Sequence, residues 1–137
     1  MMRIAVGFLR SAEGQAAFDR AIDETRMRGG TLIVVHSMRG GERDELETVR
    51  AYNDAFEQAE KRLDDEGIDY AVKRFARGAS PSDDVLQCAE DEDVDLIVIG
   101  IRRRSPVGKL LLGSNAQDVI LKANCPVLAV KPEHAED

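Results

Sequence analysis

The sequence predicts an α/β protein in which helices cover both faces of a parallel sheet. Apolar runs without polar alternation, such as residues 32–35 and 96–99, are typical of strands buried on both faces of such a sheet. Segments with apolar residues at helical spacing separate these runs. Glycines and capping residues mark the boundaries, so strands and helices alternate along the chain, which is the pattern of a doubly wound α/β fold.

The first third predicts a β-α-β unit. Residues 3–8 form its first strand, and Ser11 is the expected N-cap of the following helix. Apolar residues then recur at helical spacing until the Gly29-Gly30 pair ends the helix. Residues 31–36 form the second strand. A unit of this length predicts a parallel pair with a right-handed crossover.

The middle of the chain predicts a second helix, a third strand and a third helix. Residues 44–66 carry an amphipathic stripe that ends before Gly67. Residues 68–75 alternate between apolar and polar, which favours a strand nearer the sheet edge. Ser80 and Pro81 then provide a cap and a first helical residue for the third helix.

The last third contains the central feature of the sequence. A buried strand ends at Gly100, an arginine-rich loop follows, and a helix begins near Ser114. A short strand over residues 127–130 completes a β-α-β-α-β-α-β-α-β alternation within one domain, residues 1–137. Ligands of such folds bind at the carboxyl ends of the strands, near the topological switch point.

Charge and composition exclude several classes of protein. The net charge is −7, from 19 basic and 26 acidic residues, which argues against nucleic-acid and membrane partners. Between positions 101 and 122 there are five basic residues and one acidic residue, so this region suits the binding of a compact anion. The chain has no signal peptide and no membrane-length apolar run, which predicts a cytoplasmic protein. Cys88 and Cys125 lack metal-binding spacing and are expected to be buried, reduced thiols.

The segment between Gly100 and Asn115 is the candidate ligand site. A strand, a glycine loop and a helix start direct backbone N–H groups at an anion. Ser114 is expected either to cap the helix or to donate to a phosphate oxygen. One or two of the three arginines at positions 102–104 could bind phosphate, although a charge run of this kind is usually solvated. A plain loop with a capped helix remains the alternative.

The same segment resembles the universal stress protein family. Its nucleotide-binding members carry Gly, two residues, Gly, nine residues, then Gly-Ser or Gly-Thr. Gly100, Gly113 and Ser114 fall on that spacing, whereas Arg103 takes the place of the second glycine. The resemblance implies a three-layer fold of the adenine nucleotide alpha hydrolase-like type, with strand order 3-2-1-4-5. The switch point would then lie between the first and fourth strands, where the loop after the first strand faces Gly100.

The resemblance also implies a function and an assembly. It implies a sensor or regulator of the stress response that binds ATP, AMP or another small phosphorylated ligand, with Mg²⁺ as a possible counter-ion. The implied nucleotide-binding residues are Gly7, Phe8, Leu9, Ser37, Ile99, Gly100, Arg102, Arg103, Gly108, Gly113, Ser114 and Asn115. The implied homodimer pairs the last strands of two copies, through Val127, Leu128, Ala129 and Val130. The alternative for this strand is burial under a helix of its own chain.

Two residues differ from the pattern of the nucleotide-binding relatives, and they keep a second interpretation open. Leu9 stands where nucleotide-binding relatives have Asp, and Arg103 could either crowd the phosphates or supply charge to them. A same-fold interaction protein without nucleotide is therefore the alternative. Catalysis has little support in the sequence, because no nucleophile–base pair can be placed. The arginine-rich loop suggests at most a weak nucleotide hydrolase. His36 is expected to be structural, and the acidic pair Asp83-Asp84 to serve capping and solubility.

Overall fold

The structure is a computed structural model, and it describes residues 1–37, 46–76, 79–102 and 112–132. Nine elements alternate between strand and helix in these ranges. They are β1 (Arg3–Gly7), α1 (Ala12–Arg28), β2 (Thr31–Ser37), α2 (Leu46–Asp65), β3 (Tyr70–Phe75), α3 (Pro81–Asp91), β4 (Leu96–Gly100), α4 (Ser114–Lys122) and β5 (Val127–Val130).

The five strands form one parallel sheet in the order β3-β2-β1-β4-β5, which confirms the predicted strand order. The chain runs outward from β1 to β3, then returns to the other side of β1 with β4. The switch point therefore lies between β1 and β4, where Ala5 is in register with Ile97. Helices leaving β1 and β4 diverge to opposite faces, and this divergence opens a crevice at the carboxyl ends of the strands.

Two hydrophobic clusters make the layers on either side of the sheet. The first packs α1 and α2 against the sheet through residues such as Phe18, Ile22 and Phe56. The second packs α3 and α4 against the other face through Val85, Cys88 and Val119. Because side chains of a strand alternate between faces, successive residues of β2 contribute to the two clusters in turn. This double burial explains why β2 is apolar throughout its centre.

The predicted helix starts are confirmed. The Ser11 hydroxyl accepts a hydrogen bond from the Gly14 N–H at 3.1 Å, and Ser80 accepts in the same way from Asp83 at 3.1 Å. Pro81 begins α3, where its missing N–H costs nothing. Each cap satisfies a backbone donor that has no partner within its own helix.

The third strand is shorter than the alternation predicts, because it begins at Tyr70 and not at residue 68. The Ile68 N–H donates to the Leu63 carbonyl at 3.0 Å, which closes the end of α2. Gly67 has a φ of 70° in this turn. The apolar Ile68 therefore belongs to a helix-terminating turn, although it packs against the same cluster as β3.

Candidate functional site

A pocket lies at the carboxyl end of the sheet, at the switch point between β1 and β4. Its wall is formed by the end of β1 and the loop behind it, the ends of β2 and β4, and the first turns of α3 and α4. The lining residues are Gly7, Phe8, Leu9, Gly14, Ala17, Val35, Ser37, Pro81, Ser82, Val85, Val98, Ile99, Gly100, Asn115, Ala116 and Val119. Seven of the residues that the sequence predicts for the site therefore share this pocket.

The interior of the pocket is mostly apolar. Val85 and Val119 come from the two helices, while Val35 and Val98 come from the sheet. The pocket has a volume of about 70 Å³, below the ~300–1,000 Å³ of pockets that enclose a whole ligand. It suits one flat apolar group, and the polar remainder of a larger ligand would lie across its mouth.

Phe8 is one of the predicted site residues, and it also has a structural role in the hydrophobic core. Its ring packs edge-on against the rings of Phe18, Tyr52 and Phe56, at centroid distances of 5.9, 5.5 and 5.2 Å. Its N–H donates to the Val35 carbonyl, and its carbonyl accepts from the Tyr52 hydroxyl. The ring thus belongs to the core on the α1–α2 side, and Phe8 also lines the pocket.

His36 lies in that same core. It is 4% exposed, and its ring centroid is 4.3 Å from that of Phe56. His36 points to the α2 side of β2, whereas its neighbours Val35 and Ser37 line the pocket on the other side. The structural role expected for His36 agrees with this position.

Ser37 is held at the edge of the pocket by a carboxylate from α3. Its hydroxyl donates to Asp84 Oδ2 at 2.5 Å. Asp84 is 3% exposed, whereas its neighbour Asp83 is exposed. The interpretation of this acidic pair as capping and solubility therefore suits Asp83 and is wrong for Asp84. The helical spacing of Asp84 to the buried Cys88 was the sequence signal for its inward position.

A second polar cluster joins the first turns of α3 and α4. The Ser82 N–H donates to Asn115 Oδ1 at 3.2 Å, and the Ser82 hydroxyl donates to Asp118 Oδ2 at 3.3 Å. Ser82 is 1% exposed, whereas Asn115 is exposed and Asp118 partly buried, so these bonds are partly buried. They hold the start of α4 against α3 and fix the orientation of the Asn115 amide at the pocket.

Gly100 serves the packing of the sheet against α1. A Cβ at this position would lie 2.0 Å from the carbonyl oxygen of Glu13. The absence of a side chain thus lets β4 approach the first turn of α1 closely, in addition to any approach to a phosphate. Two residues further on, Arg102 Nε lies 3.1 Å from Glu13 Oε2, so this predicted phosphate ligand is paired with a carboxylate here.

Gly113 and Ser114 lie at the start of α4, outside the apolar lining. Gly113 is the N-cap, and the helix has no side-chain cap hydrogen bond, so the expectation that Ser114 caps α4 is wrong. The capping position falls one residue earlier, on a residue without a side chain. Among the described residues, a Cβ at Gly113 would meet nothing within 4 Å, so none of them blocks approach to this backbone. Arg103 and Gly108 lie outside the described residues.

Comparison with known proteins decides the family. A sequence model of the universal stress protein family matches residues 1–131. The chain belongs to the universal stress protein family. A universal stress protein of Mycolicibacterium smegmatis is 36% identical over 129 residues, which cover 94% of this chain and 97% of the relative.

Solved structures of the family share the architecture. A universal stress protein of Archaeoglobus fulgidus superimposes with a TM-score of 0.78 at 39% identity, over 96% of this chain and 99% of the other. A universal stress protein of the same organism, in complex with dAMP, gives a TM-score of 0.73 at 35% identity, over 96% and 98% of the two chains. The adenine nucleotide alpha hydrolase-like fold is thereby confirmed.

Proposed function

We propose that this universal stress protein binds an adenine nucleotide, ATP or AMP, at the switch point between β1 and β4. In this proposal it acts in the cytoplasm as a homodimeric sensor or regulator of the stress response. The observation that carries the proposal is an apolar pocket at the switch point, lined in part by residues of α4. A relative that is 35% identical over nearly the whole chain forms a complex with dAMP.

The parts of a nucleotide match the parts of the site. The base would enter the slot between the valines of the sheet and those of α3 and α4. The phosphates would lie on the N–H groups of Gly113 and Ser114, where the dipole of α4 adds partial positive charge. Mg²⁺ would be a counter-ion to the phosphates of ATP. Arg103 and Gly108 remain predicted contacts to the phosphates.

Arg102 can bind the phosphates with only a small loss of free energy from its present ion pair. Its side chain is 60% exposed, and its partner Glu13 is 20% exposed. An ion pair of this kind contributes about 0–1 kcal/mol. A doubly charged phosphate competes with a single carboxylate for the guanidinium, so exchange of the partner requires only a rotation of an exposed side chain.

Thermal unfolding with and without ligand tests the proposal. A ligand that binds the folded state stabilises it by about 2.7 kcal/mol at 100 times its Kd, which for this length raises Tm by roughly 8–10 °C. We expect this rise with ATP or AMP and not with pyrophosphate at equal concentration. The Ala116→Leu variant fills the pocket and should lose the rise, whereas Gln117→Leu, on the exposed face of the same helix, should retain it.

The second candidate is a same-fold interaction protein that does not bind nucleotide. Leu9 favours it, because this lining residue offers no carboxylate to a ribose or base. No rise in Tm with any adenine nucleotide, together with a rise in the Leu9→Asp, Arg103→Gly double variant, would support this candidate. It would overturn nucleotide binding by the native chain.

We also propose that β5 mediates the homodimer. β5 is an edge strand, paired only with β4 among the described strands, and Ala129 is exposed. The N–H groups of Ile97 in β4 and of Ile101, the residue after β4, donate to the carbonyls of Pro126 and Val130. Hydrogen bonding alternates along a parallel pair, so the N–H groups of Val127 and Ala129 point to the open edge. A second copy would satisfy this open edge, with Leu128 and Val130 adding apolar contact.

A further inference from the structure

We propose that Asp84 is a positioning residue that fixes the Ser37 hydroxyl as a hydrogen-bond acceptor toward the ligand. In consequence, the pocket prefers a purine whose edge carries an amino group over one that carries a carbonyl. This inference rests on the proposed function, because it concerns how the same pocket selects its base. It assigns a role to a buried carboxylate that the family resemblance did not include.

The position of the pair is set by the fold. Ser37 is the last residue of β2, and its side chain lies on the same face as Ile33 and Val35, which is the α3 face. Asp84 lies in the first turn of α3. The sheet and the helix thus bring together two residues 47 positions apart, at 2.5 Å between Oγ and Oδ2.

The chemistry of the two groups determines which way the hydroxyl points. An ionised carboxylate only accepts hydrogen bonds, and a serine hydroxyl has a single hydrogen to donate. A distance of 2.5 Å is typical of a strong hydrogen bond from a hydroxyl to a carboxylate. Asp84 is 3% exposed, so rotation of the hydroxyl away from it would leave a buried charge without this donor. The Ser37 hydroxyl hydrogen therefore stays directed at Asp84, and the lone pairs of Ser37 are available to the pocket.

Ser82, the other serine of the lining, is less accessible to a ligand, and its hydroxyl also lies 3.0 Å from the Ser80 hydroxyl. The Ser82 hydroxyl donates to Asp118, and its N–H donates to Asn115, so Ser82 is engaged with α4. Ser82 is also 1% exposed, whereas Ser37 is partly exposed at the pocket edge. Ser37 is therefore the serine that can contact a base in the apolar slot.

A fixed acceptor discriminates between two purines of nearly the same shape. The amino group of adenine donates to an acceptor, whereas the carbonyl of hypoxanthine presents lone pairs to it. The carbonyl then loses its bonds to water without a replacement, which reduces affinity by about 10- to 100-fold. AMP and IMP differ at this edge and share their ribose and phosphate, so they form a matched pair of ligands.

Isothermal titration of AMP and IMP into four proteins tests the inference. The proteins are the native chain and the variants Asp84→Asn, Ser37→Ala and Asp83→Asn. An Asn at position 84 can donate to Ser37, which frees the hydroxyl hydrogen for a carbonyl. We expect the native preference for AMP of about 10-fold or more to fall below about threefold in Asp84→Asn. Asp83→Asn removes the same charge from an exposed site on the same turn and should keep the native preference.

Each outcome decides a separate point. If the native protein binds AMP and a folded Asp84→Asn variant keeps the same preference for AMP over IMP, the proposed role of Asp84 is overturned. The proposed function is then left intact. Native protein that binds neither nucleotide overturns both. If Asp84→Asn does not fold, Ser37→Ala decides, because it removes the acceptor itself. An AMP preference that survives in Ser37→Ala overturns the inference, and its loss supports it.

Discussion

Gly100 brings β4 close to the first turn of α1, and it shows how one residue can meet two constraints. The family pattern places a glycine here beside the ligand loop. The structure adds that the carbonyl oxygen of Glu13 occupies the space of a Cβ. Gly113, in the same pattern, has open space before it. Of these two glycines, Gly100 is therefore needed for the packing of the protein itself.

We expect Gly100→Ala to destabilise the fold strongly. The new Cβ would lie 2.0 Å from a backbone oxygen, which neither a rotamer change nor a side-chain shift can relieve. The backbone must move instead, so we expect a loss of roughly 3 kcal/mol or more in the free energy of unfolding, measured by urea titration. Gly113→Ala is the control, since its Cβ meets no atom of the described residues within 4 Å. Equal urea midpoints for the two variants would contradict this account of Gly100.

The two cysteines differ in their surroundings. Cys88 is 1% exposed, and burial raises the pKa of its thiol to about 11, so it stays protonated at neutral pH. This agrees with the expected buried structural role. Cys125 is only partly buried, beside the end of α4, so the expectation of full burial is wrong for this residue. Its position next to an edge strand explains the difference, because that end of the sheet has fewer neighbours.

At the scale of elements, helix α1 contains a buried acidic side chain. Glu24 has a side chain only 3% exposed, and its two carboxylate oxygens accept from Arg20 at 2.8 Å and Arg28 at 2.7 Å. These partners lie one turn before and one turn after it on the same helix. The hydrogen bonds from Arg28 and Arg20, in that order, lower the pKa of Glu24 below its ordinary value of 4.5.

We expect the contribution of this triad to stability to depend on pH. Because the pKa of Glu24 is lower in the folded state, its contribution is present above pH 4.5 and declines as pH falls through the folded value. At pH 7, Glu24→Gln should therefore unfold more easily than the native protein, by roughly 1–2 kcal/mol. At pH 3 the difference between the two should shrink.

Urea titration of both proteins at the two pH values measures this effect. Asp23→Asn is the charge-matched control, since Asp23 is 63% exposed on the same helix and lies 3.8 Å from Arg26. Its effect should be small at both pH values. A Glu24→Gln difference that grows on acidification would contradict the sign of the predicted pKa shift.

At the scale of the whole molecule, the sheet has one central strand pair and two different edges. The β3 edge carries polar residues such as Arg74, which lies over the ring of Phe56. The β5 edge carries four apolar residues, three of them partly exposed and one exposed. Apolar edges are liable to pair with other strands, so a specific pairing of two β5 strands is the simplest use of this edge. None of the helices in the described part of the chain has both the length and the apolar composition of a membrane span.

We expect Ala129→Pro to separate the proposed dimer into single chains. The N–H of Ala129 points away from β4, so proline removes an outward donor and leaves the bonds between β4 and β5 in place. Sedimentation analysis should give the mass of two chains for the native protein and of one for the variant. Ala129→Ser keeps the N–H and should remain dimeric. A native protein that sediments as one chain would refute pairing through β5.

Much of the architecture follows from local patterns. Ser11, Ser80 and Pro81 mark helix starts because their caps involve backbone groups three residues away. Alternation predicts that β3 lies nearer the sheet edge, and in the structure it is an edge strand without a fully buried residue. The site was predicted by segment, and the pocket indeed gathers seven of the predicted residues. What those residues do there was less predictable, as Phe8 shows with its ring in the opposite core.

The sequence by itself determined the order of strands and helices, the apolar centre of the sheet and the glycine-bearing loop, since each depends on residues close together in the chain. The tertiary structure alone decided that Asp84 holds Ser37 and that Glu13 lies against Gly100. The partners in these contacts are 47 and 87 positions apart. No local pattern encodes such pairs, because the packing of helices on the sheet brings them together only after both have formed.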